Sequence, residues 1–366
     1  MTFSAADHAY MARALALTQR GRYTATPNPN VGCVIVKAAR IIGEGWHEKA
    51  GDLHAEAHAL KTCSEDPRGA TAYVTLEPCA HHGRTPPCAD ALIEAGMARV
   101  VAALEDPNPQ VSGKGFARLR EAGIQAESGL MAQEAALVHR GFLSRMTRAR
   151  PWVRVKLGVS LDGRTALANG ASRWITSSEA RRDVHDLRAQ ACAVLTGIGT
   201  VRADNPRLTV RDVPCTRQPL RVLLDSRLEI QEDAALMQGG NLLIVTATGA
   251  ESREEELKQR GYDVLRVPVD AAKGKVDLPI MMQKLAERGL NDLLVETGAK
   301  LNGSLLQSGV VDEIIIYIAP SILGDLARGM FAIGELATLE HKLKLQFSDV
   351  RQVGPDLRVI AEVLRN

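Results

Sequence analysis

Two α/β domains in tandem are predicted for this chain, and three observations predict them. Short apolar, β-branched runs alternate with helical patterns along nearly all of the 366 residues. A basic stretch that ends in a helix-stopping proline, Ser144-Arg-Met-Thr-Arg-Ala-Arg-Pro151, interrupts the alternation. No internal repeat, low-complexity segment or heptad pattern relates the halves on either side, so they read as different domains, 1–148 and 149–366.

The elements follow in order. Ser4 and Asp7 form an N-cap pair that opens a helix with Met11 and Leu15 on one stripe. Strands are expected at 31–37, 71–77 and 99–105, with helices at 54–63 and 88–95 between them. The stretch 121–143 is helical toward its end and closes a three-layer unit with helices packed over a sheet. After Pro151, strands are expected at 153–160, 193–196, 220–225, 242–246, 263–267, 293–296 and 313–319. Spacings of roughly 20 to 40 residues leave room for crossover helices, which predicts a largely parallel second sheet.

Composition narrows the function. Hydrophobic residues make up 45% and charged residues 24%, an ordinary globular mixture. Lys+Arg 45 against Asp+Glu 43 is too near neutral to indicate nucleic acid or a membrane surface as partner. Five Phe, five Tyr and three Trp are poor material for stacking bases. No apolar run approaches the roughly 18 residues of a membrane span. The first residues lack a basic region followed by an apolar core, so a cytoplasmic protein with six reduced cysteines is expected. Paired spacing among such cysteines points to metal or catalysis.

The strongest chemical signal is His54-Ala55-Glu56, followed by Pro78-Cys79 and then Cys88. One imidazole and two thiolates leave the fourth tetrahedral position of a zinc ion for water, as hydrolytic sites require. Glu56 lies two residues after His54, about 200° around a helix. The two can serve one site only from a helix's first turn, looking over its open end. Helix N-termini also favour thiolates. Zinc lowers the pKa of its water from about 15.7 to about 7. Glu56, not a ligand, can then carry the proton to a ring nitrogen and a leaving amine, the division of labour of zinc nucleobase deaminases. Two other readings of these residues stand beside this one. Cys79 and Cys88 are small buried apolar residues with His54 a core histidine, or His81 or His82 closes a structural zinc site and leaves Glu56 without a task. In most such sites the second cysteine comes three positions after the first, where His82 stands here.

The run Thr75-Leu-Glu-Pro-Cys79-Ala-His-His-Gly-Arg-Thr-Pro-Pro-Cys88, together with Thr26-Pro-Asn28-Pro-Asn-Val-Gly32, resembles the bifunctional riboflavin-biosynthesis deaminase/reductase family. The resemblance continues through Lys156-Leu-Gly-Val-Ser-Leu-Asp-Gly-Arg-Thr165, Ser172-Arg-Trp-Ile-Thr176, Leu187-Arg-Ala189, Leu195-Thr-Gly-Ile-Gly-Thr-Val201 and Asp204-Asn-Pro-Arg-Leu-Thr-Val-Arg211. It therefore covers most of the chain in collinear order. It implies a cytidine-deaminase-like three-layer α/β/α domain followed by a dihydrofolate-reductase-like, largely parallel α/β domain. The implied reactions are zinc-dependent hydrolytic deamination of 2,5-diamino-6-(5-phosphoribosylamino)pyrimidin-4(3H)-one and NADPH-dependent reduction of the ribosyl to a ribityl side chain. Cofactors would be one zinc ion per chain and NADPH. The partner would be this small phosphorylated pyrimidine, not nucleic acid or membrane, and a homo-oligomer is left open.

Carried over by position, His54, Cys79 and Cys88 hold zinc, Glu56 shuttles the proton and Asn28 faces the pyrimidine. Read alone, Asn28 is a turn residue between two prolines. Ser172, Arg188, Leu208, Arg211 and Glu296 would contact the reductase substrate. Gly158, Trp174, Thr200, Asp204, Ser226 and the turn Gly298, Ala299, Lys300, Leu301, Asn302, Gly303 and Ser304 would contact NADPH. Without the family, Gly197-x-Gly199 is a weak phosphate-loop hint, and Glu296 to Lys300 is a strand–glycine–helix turn able to point N–H groups at a phosphate, or an ordinary connection. Residues 151–211 carry ten Lys/Arg against five Asp/Glu, which suits two phosphorylated ligands, with Arg181 and Arg182 read as a solvated helix face. Asp204 reads equally as an N-cap before Asn205-Pro206. The family usually has Gly where Thr297 stands, and Thr fits only if the backbone there avoids positive φ. Cys33, Cys63, Cys192 and Cys215 are read as buried or incidental thiols. A nucleic-acid deaminase with an appended domain and a zinc-stabilised regulatory binder are the competing functions.

Overall fold

Helix α1 (Ala5–Thr18) starts where the cap predicts: the Ser4 hydroxyl accepts from the Asp7 N–H at 3.1 Å, and the Asp7 carboxylate accepts from the Ser4 N–H at 2.8 Å. Asp7 is itself buried and also accepts from the Tyr73 hydroxyl and Arg99 Nη1, both at 2.6 Å, so the cap fastens the helix to the sheet. In this computed structural model, which describes residues 3–81, 86–109, 111–272 and 274–365, the chain divides into two compact units, Met1–Ala149 and Arg150–Asn366.

The first unit continues with β1 (Gly32–Lys37), β2 (Arg40–Trp46), α2 (Ala55–Lys61), β3 (Thr71–Val74), α3 (Cys88–Glu94), β4 (Arg99–Ala102), α4 (Lys114–Glu121), β5 (Gln125–Ser128) and α5 (Ala132–Arg148). The sheet order is β2-β1-β3-β4-β5, antiparallel among the first three and parallel from β3 onward. Cys33, Ile35, Val74 and Val100 face α2, α3 and α4, whereas Val34, Val36, Tyr73 and Val101 face α1 and α5. These are the three expected layers, produced by the period-2 alternation of each strand.

Three local features lie outside the expectation. Strand β2 was not expected because its inward positions are glycines. A Cβ at Gly43 would come within 2.4 Å of the Ala59 carbonyl oxygen, so helix α2 lies directly on the strand backbone and the strand loses its apolar signature. The stretch 121–143 is helical toward its end, as expected, since α5 begins at Ala132, but the strand β5 between the end of α4 at Glu121 and α5 was not expected. The basic stretch 144–151, within which the two units divide, is mostly helix, since α5 runs through Arg148; arginines at a helix C-terminus suit its dipole.

The second unit contains β6 (Trp152–Ser160), β7 (Arg164–Ala166), α6 (Ser178–Gln190), β8 (Ala193–Gly197), α7 (Ile198–Asp204), β9 (Leu220–Leu224), β10 (Leu242–Thr246), α8 (Glu251–Gln259), β11 (Asp263–Arg266), β12 (Val269–Asp270), β13 (Lys275–Val276), α9 (Leu278–Glu287), β14 (Asp292–Val295), α10 (Ala299–Gln307), β15 (Glu313–Ala319), β16 (Arg328–Gly329), β17 (Leu345–Val353) and β18 (Asp356–Val363). Its main sheet has nine strands in the order β11-β10-β9-β8-β14-β6-β15-β18-β17. All neighbours are parallel except β15 with β18 and β18 with β17. The largely parallel sheet is thus observed, with helices on both faces. Val153, Leu195 and Val245 pack with α9 and α10, while Val194, Leu223 and Ile244 pack with α6 and α8. The closing hairpin β17–β18 escaped the pattern because β17 is exposed along nearly its whole length.

Candidate active sites

In the first unit, His54 is the N-cap of α2 and Cys88 is the first residue of α3, while Cys79 lies in the loop that follows β3. Two helix N-termini and one loop therefore converge. His54 Nδ1 lies 3.2 Å from Cys88 Sγ and 3.6 Å from Cys79 Sγ, and all three ligand atoms fall within 4.8 Å of one another. A tetrahedral zinc with Zn–S near 2.3 Å and Zn–N near 2.0 Å places such atoms about 3.5–3.8 Å apart, so the donor set fits the ion. The Cys88 N–H also donates to Cys79 Sγ at 3.3 Å. Hydrogen bonds from Cys88 and His54 favour the Cys79 thiolate, and the same sharing, with burial, pushes Cys88 upward. His81 is exposed and outside this triad; His82 lies outside the described residues.

Glu56, in the first turn of α2, is 3% exposed. Burial, reinforced by the neighbouring Cys79 thiolate, pushes its carboxyl up to about 7. Such a group can both take and give a proton near neutrality. The half-buried Asn28 donates from its amide to His47 Nε2 at 3.1 Å, and the His47 and His54 rings meet edge to face with centroids 5.5 Å apart. His47, 3% exposed, was missed in the sequence because a lone histidine in Trp46-His47-Glu48 has no partner spacing to reveal it. Glu77 was missed likewise. Its buried carboxylate accepts the N–H groups of Asp106, Gly113, Gly115 and Phe116 at 2.9–3.2 Å, holding the start of α4 against the strand end that leads to Cys79.

In the second unit, the residues singled out gather at the carboxyl ends of parallel strands, where ligands bind in open α/β sheets. Gly158 is near the end of β6, Thr200 and Asp204 are in α7 after β8, Ser226 follows β9, and Glu296 follows β14. Glu296 takes a bidentate pair from Arg188 (2.5 and 2.9 Å) and a third contact from Lys156 Nζ at 3.0 Å. Burial opposes its charge, but the two cations outweigh it and hold the carboxyl well below its usual range. Lys156 gains its role from its neighbour across the site, not from its sequence context. Ser172 Oγ approaches Asp204 at 3.4 Å. Asp204 closes α7 and Asn205 adopts the left-handed C-cap (φ 44°), so the N-cap reading of Asp204 is wrong: the helix precedes it. Arg181 is not simply solvated, since it lies 4.4 Å over the exposed Trp174 ring and donates to the Thr176 carbonyl at 2.7 Å.

The Ser226 carbonyl takes N–H and hydroxyl donors from Ala247, Thr246 and Thr248. In the 298–304 turn, Asn302 and Gly303 face inward. Asn302 bonds to the Thr297 and Met330 carbonyls, and a Cβ on Gly303 would come within 2.3 Å of the Ala332 carbonyl oxygen. Ala299, Leu301 and Ser304 are half-buried, whereas Gly298 and Lys300 are exposed. Gly298 caps α10 without a side-chain hydrogen bond, and a Cβ there would meet no atom within 4 Å. A free helix N-terminus with open space fits a dinucleotide phosphate. Thr297 is accommodated, with φ outside the left-handed region and its hydroxyl bonded to Asn302 at 2.5 Å. Leu208, at φ 56°, and Arg211 lie on the loop between α7 and β9.

Comparison with known proteins joins the two sites. Residues 4–104 match the cytidine and deoxycytidylate deaminase zinc-binding region, and residues 151–359 match the RibD C-terminal domain. The chain belongs to the RibD family. Riboflavin biosynthesis protein RibD of Escherichia coli K12 is 50% identical over 363 residues, covering 96% of this chain and 98% of that protein. The Haemophilus influenzae protein of the same name is 45% identical over 98% of both chains. Among solved structures, Acinetobacter baumannii RibD superposes with a TM-score of 0.90 at 42% identity, covering 98% of this chain and 99% of that one. A Thermotoga maritima diaminohydroxyphosphoribosylaminopyrimidine deaminase/5-amino-6-(5-phosphoribosylamino)uracil reductase follows at 0.85 and 33%, with the same coverage. As a RibD, the chain is a bifunctional riboflavin-biosynthesis enzyme, a zinc-dependent deaminase joined to an NADPH-dependent reductase. Among the described residues, no helix is long and apolar enough to cross a membrane.

Proposed function

We propose that residues 1–148 form the deaminase and 149–366 the reductase, each acting through the residues assembled above. The observation that carries the reading is the meeting of His54, Cys79 and Cys88 beside the buried Glu56. His54 and the two cysteine sulfurs would hold the metal, and zinc when bound would supply the Lewis acidity that makes water nucleophilic near neutral pH. Glu56 takes a proton from the attacking water and passes it to the ring nitrogen, then takes the proton of the resulting hydroxyl and passes it to the amine, which departs as ammonia. Asn28, steadied by His47, faces the pyrimidine edge.

In the reductase, NADPH when bound would supply the reducing equivalents; α10's N-terminus and Lys300 would receive its phosphate, and Gly158, Trp174, Thr200, Asp204 and Ser226 would complete its site. Glu296, charge-balanced by Arg188 and Lys156, orients the opened ribosyl chain. Ser172 and Leu208 flank the substrate, and Arg211 takes the sugar phosphate by a charge-assisted contact. The substrate is a small phosphorylated pyrimidine and the compartment the cytoplasm. The test is incubation of zinc-loaded protein with the diaminopyrimidinone phosphate, with and without NADPH, followed by mass analysis. Ammonia released without NADPH and a two-hydrogen gain with it are expected; an unchanged substrate in both tubes rejects the reading.

A further inference from the structure

The loop that carries Leu208 and Arg211 is pinned by three side chains, Arg188 and two with no role so far, His185 and Gln218. On α6, His185 and Arg188 lie one turn apart. Arg188, besides holding Glu296, donates from Nη1 to the Thr209 carbonyl at 3.3 Å. His185, 5% exposed, accepts the Arg211 backbone N–H on Nδ1 at 3.2 Å and points Nε2 at the Asp212 carboxylate, also at 3.2 Å. Gln218 binds both sides of the Val210 peptide, accepting its N–H at 2.7 Å and donating to its carbonyl at 3.0 Å. Every residue from Thr209 to Asp212 is therefore held by a side chain of α6 or by Gln218, just before β9.

We propose that His185 and Gln218 are positioning residues that set Arg211 for the substrate phosphate, and that His185 makes this setting sensitive to pH. The proposal rests on the substrate placement proposed above. The hydrogen bonds require a neutral imidazole, since Nδ1 must offer its lone pair to the Arg211 N–H while Nε2 carries the proton toward Asp212. A proton on Nδ1 sets two donors face to face and frees the loop. Burial, then the charges of Arg188 and Arg211, hold the imidazole neutral, opposed by Asp212 and Glu296, so its pKa lies below the ordinary value. The setting is thus complete at neutral pH and fails on acidification.

Steady-state reduction of the deaminated substrate by the full-length enzyme, between about pH 5 and pH 8, tests this. For the wild type, KM for this substrate rises at acid pH while kcat and KM for NADPH change less. The substrate's own phosphate titrates near pH 6, so the His185→Asn variant decides. Its amide oxygen replaces the Nδ1 acceptor and does not titrate, so it keeps the neutral-pH KM and shows a smaller acid rise. His185→Phe and Gln218→Leu, with no acceptor, raise that KM about tenfold at neutral pH, the cost of an unpaired buried N–H. If His185→Phe does not fold, Gln218→Leu and His185→Asn suffice. Superimposable KM profiles for wild type and His185→Asn, or an unchanged KM in Gln218→Leu, overturn the proposal while the reductase reading stands. No reduction at all by the wild type removes the reading, and the proposal with it.

Discussion

Carboxylates in this chain take their roles from what surrounds them. Burial and the Cys79 thiolate leave Glu56 poised near neutrality, whereas Glu296 is clamped between Arg188 and Lys156 and stays charged. Glu56→Gln is therefore expected to reduce deamination by about 10²–10⁴-fold while zinc content and NADPH-dependent reduction remain; metal loss alongside activity would make Glu56 a structural residue instead. Asp7 gives a pH-dependent case. Burial alone would raise its pKa, but hydrogen bonds from Tyr73, Arg99 and Ser4 outweigh that and hold it well below the unfolded value of about 3.9. Its stabilisation is thus fully present above that value and is lost as pH falls toward the folded pKa. Asp7→Asn should cost about 1–3 kcal/mol in urea unfolding at pH 7 and less at pH 3; an equal gap at both pH values would count against it. His54, Cys79 and Cys88, with Glu56 beside them, were legible because a candidate metal site needs fixed residue types at fixed intervals. His47, Lys156 and His185 were not, since each acts through a partner distant in sequence, such as Asn28, Glu296 or the loop bearing Arg211.

Elements were legible where one face is apolar and the other differs. The strands at the centre of both sheets declared themselves by β-branched runs, but β2, with glycines under α2, and β17, with almost no buried side, carried no such alternation. The turn from β3 to Cys79 shows how an element end is held for chemistry. Four N–H groups on Glu77 lock the α4 start to that turn, and the tight packing of Gly115, where a Cβ would fall 2.0 Å from the Pro78 carbonyl oxygen, adds a steric lock. Glu77→Gln replaces one acceptor oxygen by an amide donor facing N–H groups. Zinc affinity measured by chelator competition is expected to fall about 10–100-fold, together with a lower Tm. Unaltered zinc affinity with a lowered Tm would restrict Glu77 to stability.

For the whole molecule, two compact units carry two chemistries that depend on different cofactors. Stripping zinc with a chelator is expected to abolish ammonia release from the diaminopyrimidinone phosphate yet leave reduction of the already deaminated compound within about twofold. Equal loss of both would show that the reductase depends on the metal. The order of the large sheet has its own consequence. Strand β6 is made first in the second unit but sits in the middle, where Trp152 pairs with Asp292 and Arg154 with Glu313. During synthesis this central strand must wait, unpaired on both edges, until nearly the whole unit has left the ribosome, and such distant pairings are slow to form. A chain stopped short of β14 exposes two sticky strand edges, which makes the nascent reductase half a natural client for chaperones.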